Sequence, residues 1–197
     1  CPQNGRQTEV LMDAEDSELV VRSKDGGLNA FNFIVQRYQS QVLNLSARII
    51  GDRGRAEDVT QQTFISAHRA IGRFRGGSLR AWLMRIAANA SRDSLRGSRQ
   101  RPEQSLDESL ESPSFQPASA EASPEEHAER SELNAELQKA ILALSDDQRA
   151  VLVLIDVQGF SYEETTESVG ASIGAVKSRL NRARRRVRDI LNGAKGT

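Results

Sequence analysis

Apolar residues recur along most of this chain at spacings of three and four, the period of a helix with one buried face. Phe31, Ile34, Val35, Tyr38, Val42, Leu45 and Ile49 make the longest such stripe, closed by Gly51-Asp52. A short helix, Glu18 to Lys24, precedes it and ends at Gly26-Gly27. A third helix is expected from Arg55 or Ala56, with Val59, Thr63, Ile65 or Ala67, and Ala70 or Ile71 inward. Beyond the loop Arg75-Gly-Gly-Ser, Leu79 to Leu95 is a fourth, packing Trp82, Leu83, Ile86, Ala87 and Ala90. In the second half a helix is expected from about Glu129 to Leu144, and Ser145 then caps another whose core is Val151, Leu152, Leu154 and Ile155. No run alternates long enough for a strand, so the pattern predicts an all-α protein.

The last two helices carry the strongest local signals. Ser161 with Glu164 three residues on is a capping box, in which each side chain satisfies an amide at the helix start. Gly170 is free to take the positive φ that ends this short acidic helix. Ser172 can cap the next, which runs towards Leu191 with Ile173, Val176, Leu180, Ala183, Val187 and Ile190 as its apolar stripe. Two helices joined by such a turn form a helix-turn-helix, whose second helix enters a DNA major groove.

Charge sharpens that reading. Residues 171–197 hold eight Lys or Arg and one acid, Asp189, whereas a solvated face mixes signs. Residues 73–101 carry eight Arg against the single acid Asp93. Between the basic blocks, residues 102–129 carry eight acids and no Lys or Arg. Residues 98–129 also hold Pro102, Pro113, Pro117 and Pro124, so this stretch reads as an acidic linker unable to bury a core. Leu106, Leu110 and Phe115 are its only anchor candidates. Two nucleic-acid contacts joined by a strap that repels the same ligand are expected, with the strap covering the basic faces of the free protein.

Other chemistries lack their residues. Cys1 is the only cysteine, which excludes a disulfide framework and a thiolate zinc site. His68 and His127 are the only histidines, and no phosphate loop or nucleophile–base pair accompanies them. The longest apolar run, Val151 to Ile155, is far too short for a bilayer. A cytoplasmic, non-enzymatic DNA-binding protein without cofactor or metal is expected.

Two blocks of motifs then resemble a known family. Ala56-Glu-Asp-Val-Thr-Gln-Gln-Thr-Phe, Phe74-Arg-Gly-Gly-Ser, Trp82-Leu-Met-Arg-Ile-Ala-Ala-Asn and Asp93-Ser-Leu-Arg resemble sigma region 2. Asp147-Gln-Arg-Ala-Val, Gly159-Phe-Ser-Tyr-Glu-Glu and Gly174-Ala-Val-Lys-Ser-Arg-Leu-Asn-Arg-Ala-Arg are similar to sigma region 4. In this order, with a short linker between them, the blocks resemble the extracytoplasmic-function (ECF) subgroup of bacterial sigma factors. The resemblance divides the chain into a region 2 domain over 13–97, a linker over 98–129 and a region 4 domain over 130–193. It departs from the family at Thr165-Thr166, where Ile-Ala is usual, at Ala175, where Thr is common, and at Ser145, where Pro is common. A small residue in place of Thr166 would let the two helices of the motif approach closely.

The resemblance implies three jobs: holding RNA polymerase, trapping a melted strand and reading duplex DNA. Polymerase binding falls on Asp58, Gln61, Gln62 and Ile65, which share one helix face and would dock on the clamp helices of the largest subunit. The β-subunit flap and an anti-sigma factor are the other protein partners implied. For the minus-ten strand, Arg75, Arg80, Arg85, Arg92 and Arg96, with Arg73, supply a cationic groove. Ser78 belongs to a loop that lets backbone approach a flipped base, and Asn89 can read one. Trp82 reads two ways, as core or as a stacking surface, and its spacing with Ile86 favours core. For the minus-thirty-five duplex, Lys177, Ser178 and Asn181 lie in the base-reading part of the recognition helix, with Arg179, Arg182 and Arg185 on phosphates. A two-domain repressor or activator would carry the same helix-turn-helix, and binding to core polymerase separates the two readings.

Overall fold

The computed structural model describes residues 15–100 and 124–194, and every regular element among them is helical. The first unit consists of α1 (Asp16–Lys24), α2 (Leu28–Ile50), α3 (Arg53–Ala70), a 3-10 turn (Ile71–Arg73) and α4 (Leu79–Gln100). The second consists of α5 (Pro124–Leu142), α6 (Asp146–Leu152) running into a π turn (Val153–Val157), α7 (Tyr162–Val169) and α8 (Ile173–Ala194).

In the first unit α2 is the spine, packed against α1, α3 and α4. Its stripe is buried as its period requires, with Ile34, Val42, Leu45 and Ile49 fully enclosed. Gly51 ends it in the left-handed conformation, φ 81°, and its amide donates to the Ala47 carbonyl. Asp52 then caps α3 through the Arg55 amide, so α3 begins at Arg53, slightly before the expected start. Phe64 and Ala67 face the core and Ile65 faces solvent. α1 is tied across α2 by Asp16, which accepts from the Tyr38 hydroxyl and from Arg37 Nη1 at 2.8 Å. Burial first, and the Asp16 bond second, push the Tyr38 phenol well above its ordinary value of 10.0.

The expected linker is helical at both ends, because α4 runs to Gln100 and α5 starts at Pro124 rather than at Glu129. Proline suits a first helical position, where its missing N–H has no partner to lose. The rest of that stretch, with Leu106, Leu110, Phe115 and the shielding role expected of its acids, lies outside the described residues. α5 also ends earlier than expected, at Leu142.

The helix-turn-helix follows its local signals closely. Both hydrogen bonds of the Ser161–Glu164 capping box are formed, and Gly170 has φ 64°. The Ser172 hydroxyl accepts from the Ala175 amide at 3.3 Å at the start of α8. Val176, Leu180 and Ala183 are buried, while Ile173 at the end of the stripe is exposed. Thr165, where the family has an aliphatic residue, is completely buried, and its hydroxyl donates to the Ser161 carbonyl at 2.8 Å. This bond removes the penalty of an unpaired buried hydroxyl. Ser145 occupies the cap position of α6, but its side chain makes no capping bond there.

The two units share one continuous apolar core. α4 packs on α7, and α2 packs on α5, α6 and the π turn. Arg149 of α6 is buried at the seam. Its guanidinium donates to the carbonyls of Ile141 and Leu142 at the end of α5, to that of Leu144 just beyond it, and to that of Ile49 at the end of α2. One cation thereby satisfies carbonyls that two helix ends leave unpaired.

Candidate nucleic-acid interface

The three groups of residues marked by the sequence lie on different parts of the molecule. Asp58, Gln61, Gln62 and Ile65 occupy one exposed face of α3. Helical spacing brings them together, because α3 buries Ala56, Val59, Thr63, Phe64 and Ala67 on its other side. Ile65 is 46% exposed, so this face offers an apolar side chain between polar ones.

The second group surrounds the loop from Arg73 to Ser78. Gly76 and Gly77 both have positive φ, 98° and 89°, which side-chain-bearing residues rarely adopt. A Cβ added at either would meet nothing within 4 Å, so the glycines are needed for backbone shape rather than for space. The Ser78 hydroxyl accepts from the Ala81 amide at 3.1 Å and starts α4. Arg75, Arg85, Asn89 and Arg96 are exposed. A cavity of about 450 Å³ is lined by Arg73, Arg75, Arg85, Trp82 and the glycine loop on one side, and by Glu164, Glu167 and Ser168 of α7 on the other. Trp82 is half-buried, its ring centroid 5.2 Å from that of Phe74, and it walls this cavity as well as the core.

Arg80 and Arg92 do not join an open groove. Arg80 Nε donates to Gln41 Oε1 at 2.9 Å, its Nη2 donates to the Gln158 carbonyl, and its guanidinium lies over the Phe160 ring at 4.7 Å. Arg92 Nη2 donates to Asp147 Oδ1 at 2.9 Å. Both are turned towards the second unit, and the expected six-arginine groove is divided between solvent and this seam.

The third group is on α8. Lys177, Ser178, Asn181, Arg182 and Arg185 are exposed. Arg182 Nη2 donates to Ser178 Oγ at 2.8 Å, and Lys177 Nζ lies 5.4 Å from the Tyr162 ring centroid. Arg179 differs from the rest: it is half-buried, and its Nη2 lies 3.0 Å from Asp147 Oδ2. Arg184 is paired with Asp156 by two hydrogen bonds, at 2.9 and 2.6 Å, and the Asp156 contact raises its pKa further. Sequence reading placed Asp147 and Arg149 in a region 4 motif but gave neither them nor Asp156 a contact; Asp147 and Asp156 pair with arginines distant in the chain, and Arg149 reaches the Ile49 carbonyl, so no local periodic signal marks these pairings.

Family comparisons fall on the same two units. Residues 34–101 match the Sigma-70 region 2 model, and residues 134–187 match the Sigma-70, region 4 model. The RNA polymerase sigma-H factor of Pseudomonas aeruginosa is 35% identical over 180 residues, covering 89% of this chain and 93% of that protein. The ECF RNA polymerase sigma-E factor of Haemophilus influenzae is 35% identical over 174 residues, covering 86% and 91%. The chain belongs to the ECF sigma factors. Two solved complexes share its architecture. RpoE of Bartonella quintana, bound to the anti-sigma factor NepR, superposes with a TM-score of 0.65 at 27% identity, over 84% of this chain and 98% of that one. CnrH, bound to the cytosolic domain of CnrY, gives 0.66 at 28% identity, over 90% and 97%. The first unit is thus region 2 and the second region 4 of a sigma factor that directs RNA polymerase to promoters for transcription initiation. Among the described residues, no helix is long and apolar enough to cross a membrane, and no group of three or more metal-ligating side chains converges.

Proposed function

We propose the following division of labour within this sigma factor. The α3 face of Asp58, Gln61, Gln62 and Ile65 holds core RNA polymerase at the clamp helices of its largest subunit. Region 4 engages the β-subunit flap. The loop at Gly76–Ser78, with Arg75, Arg80, Arg85, Asn89, Arg92 and Arg96, takes the minus-ten strand once region 4 has moved off it. Lys177, Ser178 and Asn181 read the minus-thirty-five duplex, and Arg179, Arg182 and Arg185 hold its phosphates. The functional domains are 13–97 and 130–193, the protein works in the cytoplasm without catalytic chemistry of its own, and an anti-sigma factor is its regulatory partner.

The observation that carries this reading is the exposed, mixed polar and apolar face of α3, within the block that matches region 2. Interface anchors combine apolar burial with a polar rim, as Ile65 and its neighbours would. Ile65→Asp should weaken capture of core polymerase at least tenfold, about 1.4 kcal/mol, while the helical circular dichroism stays unchanged. Undiminished capture by a folded Ile65→Asp protein would remove α3 from the polymerase contact.

A further inference from the structure

The recognition helix α8 opens with Ile173 and Gly174, which the assignments above leave without a role. Ile173 is 43% exposed and belongs neither to the apolar core nor to the side chains packed against it. Lys177 and Asn181, both exposed, follow it at spacings of four, along one ridge of the helix. An apolar side chain thus heads a row of polar ones that point to the duplex.

Gly174 stands beside it, three residues before Lys177 and four before Ser178, on the same exposed side. Glycine weakens a helix relative to alanine, yet nothing in the fold asks for one here. Its φ is not among the positive values, and a Cβ built on it would meet nothing within 4 Å. What the missing side chain does offer is close approach of an outside body to the start of α8.

In a helix-turn-helix the first residues of the second helix touch base edges. Neither Ile173 nor Gly174 brings a hydrogen-bonding side chain, and the Ser172 hydroxyl before them accepts from the Ala175 amide. Apolar contact is the readout left to this end of the helix. Of the base edges in the major groove, only that of thymine carries an apolar group, its methyl. We propose that Ile173 reads a thymine methyl in the upstream promoter element, at the close approach that Gly174 permits. The proposal rests on the assignment of Lys177, Ser178 and Asn181 to that duplex and adds a base identity that hydrogen bonds alone do not supply. Four residues of helix separate Ile173 from Lys177 by about 6 Å. Its thymine therefore lies within about two base pairs of the base that Lys177 reads, at ~3.4 Å per step.

The test starts from promoters selected out of a randomised library by the wild-type holoenzyme. Each thymine of the upstream element, on either strand, is replaced singly by deoxyuridine, which lacks only the methyl, and holoenzyme binding is measured by competition. At one thymine this should weaken the wild type about fourfold, the worth of burying one methyl. Ile173→Ala should bind the thymine and deoxyuridine duplexes equally at that position and keep its preferences elsewhere, whereas a merely structural role would weaken every duplex alike. Gly174→Ala should bind the selected promoter severalfold more weakly although its Tm does not fall. An upstream element without thymine, tolerance of deoxyuridine at every position, or a methyl dependence that survives in Ile173→Ala would overturn the proposal. Full-strength binding by Gly174→Ala would overturn the close approach. A selection that yields no upstream element at all would count instead against the assignment of α8 to the minus-thirty-five duplex.

Discussion

Arg149 of region 4 donates to the Ile49 carbonyl of region 2 at 2.6 Å, across 100 residues of sequence. The same guanidinium reaches three carbonyls at and just beyond the end of α5, and the side chain is buried. A buried cation is tolerated only when its donors are spent, and here they are spent on helix ends. Arg149→Met keeps the apolar stem and removes every donor, leaving those carbonyls partly desolvated. It should destabilise the protein by about 3 kcal/mol or more. Urea unfolding should show the lower midpoint; a loss within about 0.5 kcal/mol would mean that water replaces the guanidinium without penalty.

Asn181 and Arg185 are both exposed on α8 but are expected to fail differently. Asn181 lies one turn after Lys177, and its amide can pair bidentately with adenine. Asn181→Ala should cost about 1–3 kcal/mol at one upstream promoter position and little elsewhere. Equal losses on intact and scrambled upstream elements would end its base-reading role. Arg185→Ala should weaken binding evenly across sequences and lower the salt slope by about one unit. An unaltered slope would take it out of the phosphate set.

Tyr38 gives the region 2 fold an alkaline limit. Its folded-state pKa is raised above the ordinary 10.0 by burial and by Asp16. The unfolded chain therefore loses this proton near pH 10 while the native state keeps it. That contribution is complete below pH 10 and is lost as pH rises from there towards the folded-state value. Tyr38→Phe should lower stability at neutral pH by about 1 kcal/mol through the lost bond to Asp16. It should also flatten the decline above pH 10. An equally steep alkaline decline in Tyr38→Phe would assign that limb to other groups.

What the sequence made legible was governed by neighbours in the chain. The Ser161–Glu164 capping box, the Gly170 turn and the buried face of α2 depend on residues within a few positions, and all are present. Phe64 shows the first limit: period alone left Ile65 or Ala67 facing inward, and packing buried Phe64 and Ala67. The second limit is partner choice. Arg80, Arg92 and Arg179 are basic residues on predicted helices, and a helical period says which way they face but not what faces them. Their acceptors, Gln158 and Asp147, come from the other domain or from another helix of the same one. Ser145 marks a third limit, since a capping residue at a helix start still needs its rotamer to reach the amide.

Run-off transcription with purified core RNA polymerase over a randomised promoter library tests the central claim most directly. Adding this protein should enrich a discrete set of templates that share two upstream elements at fixed spacing. Ile65→Asp should abolish the enrichment, and Asn181→Ala should blur one position of the upstream element. Transcripts indistinguishable in number and origin from those of core polymerase alone would contradict the account.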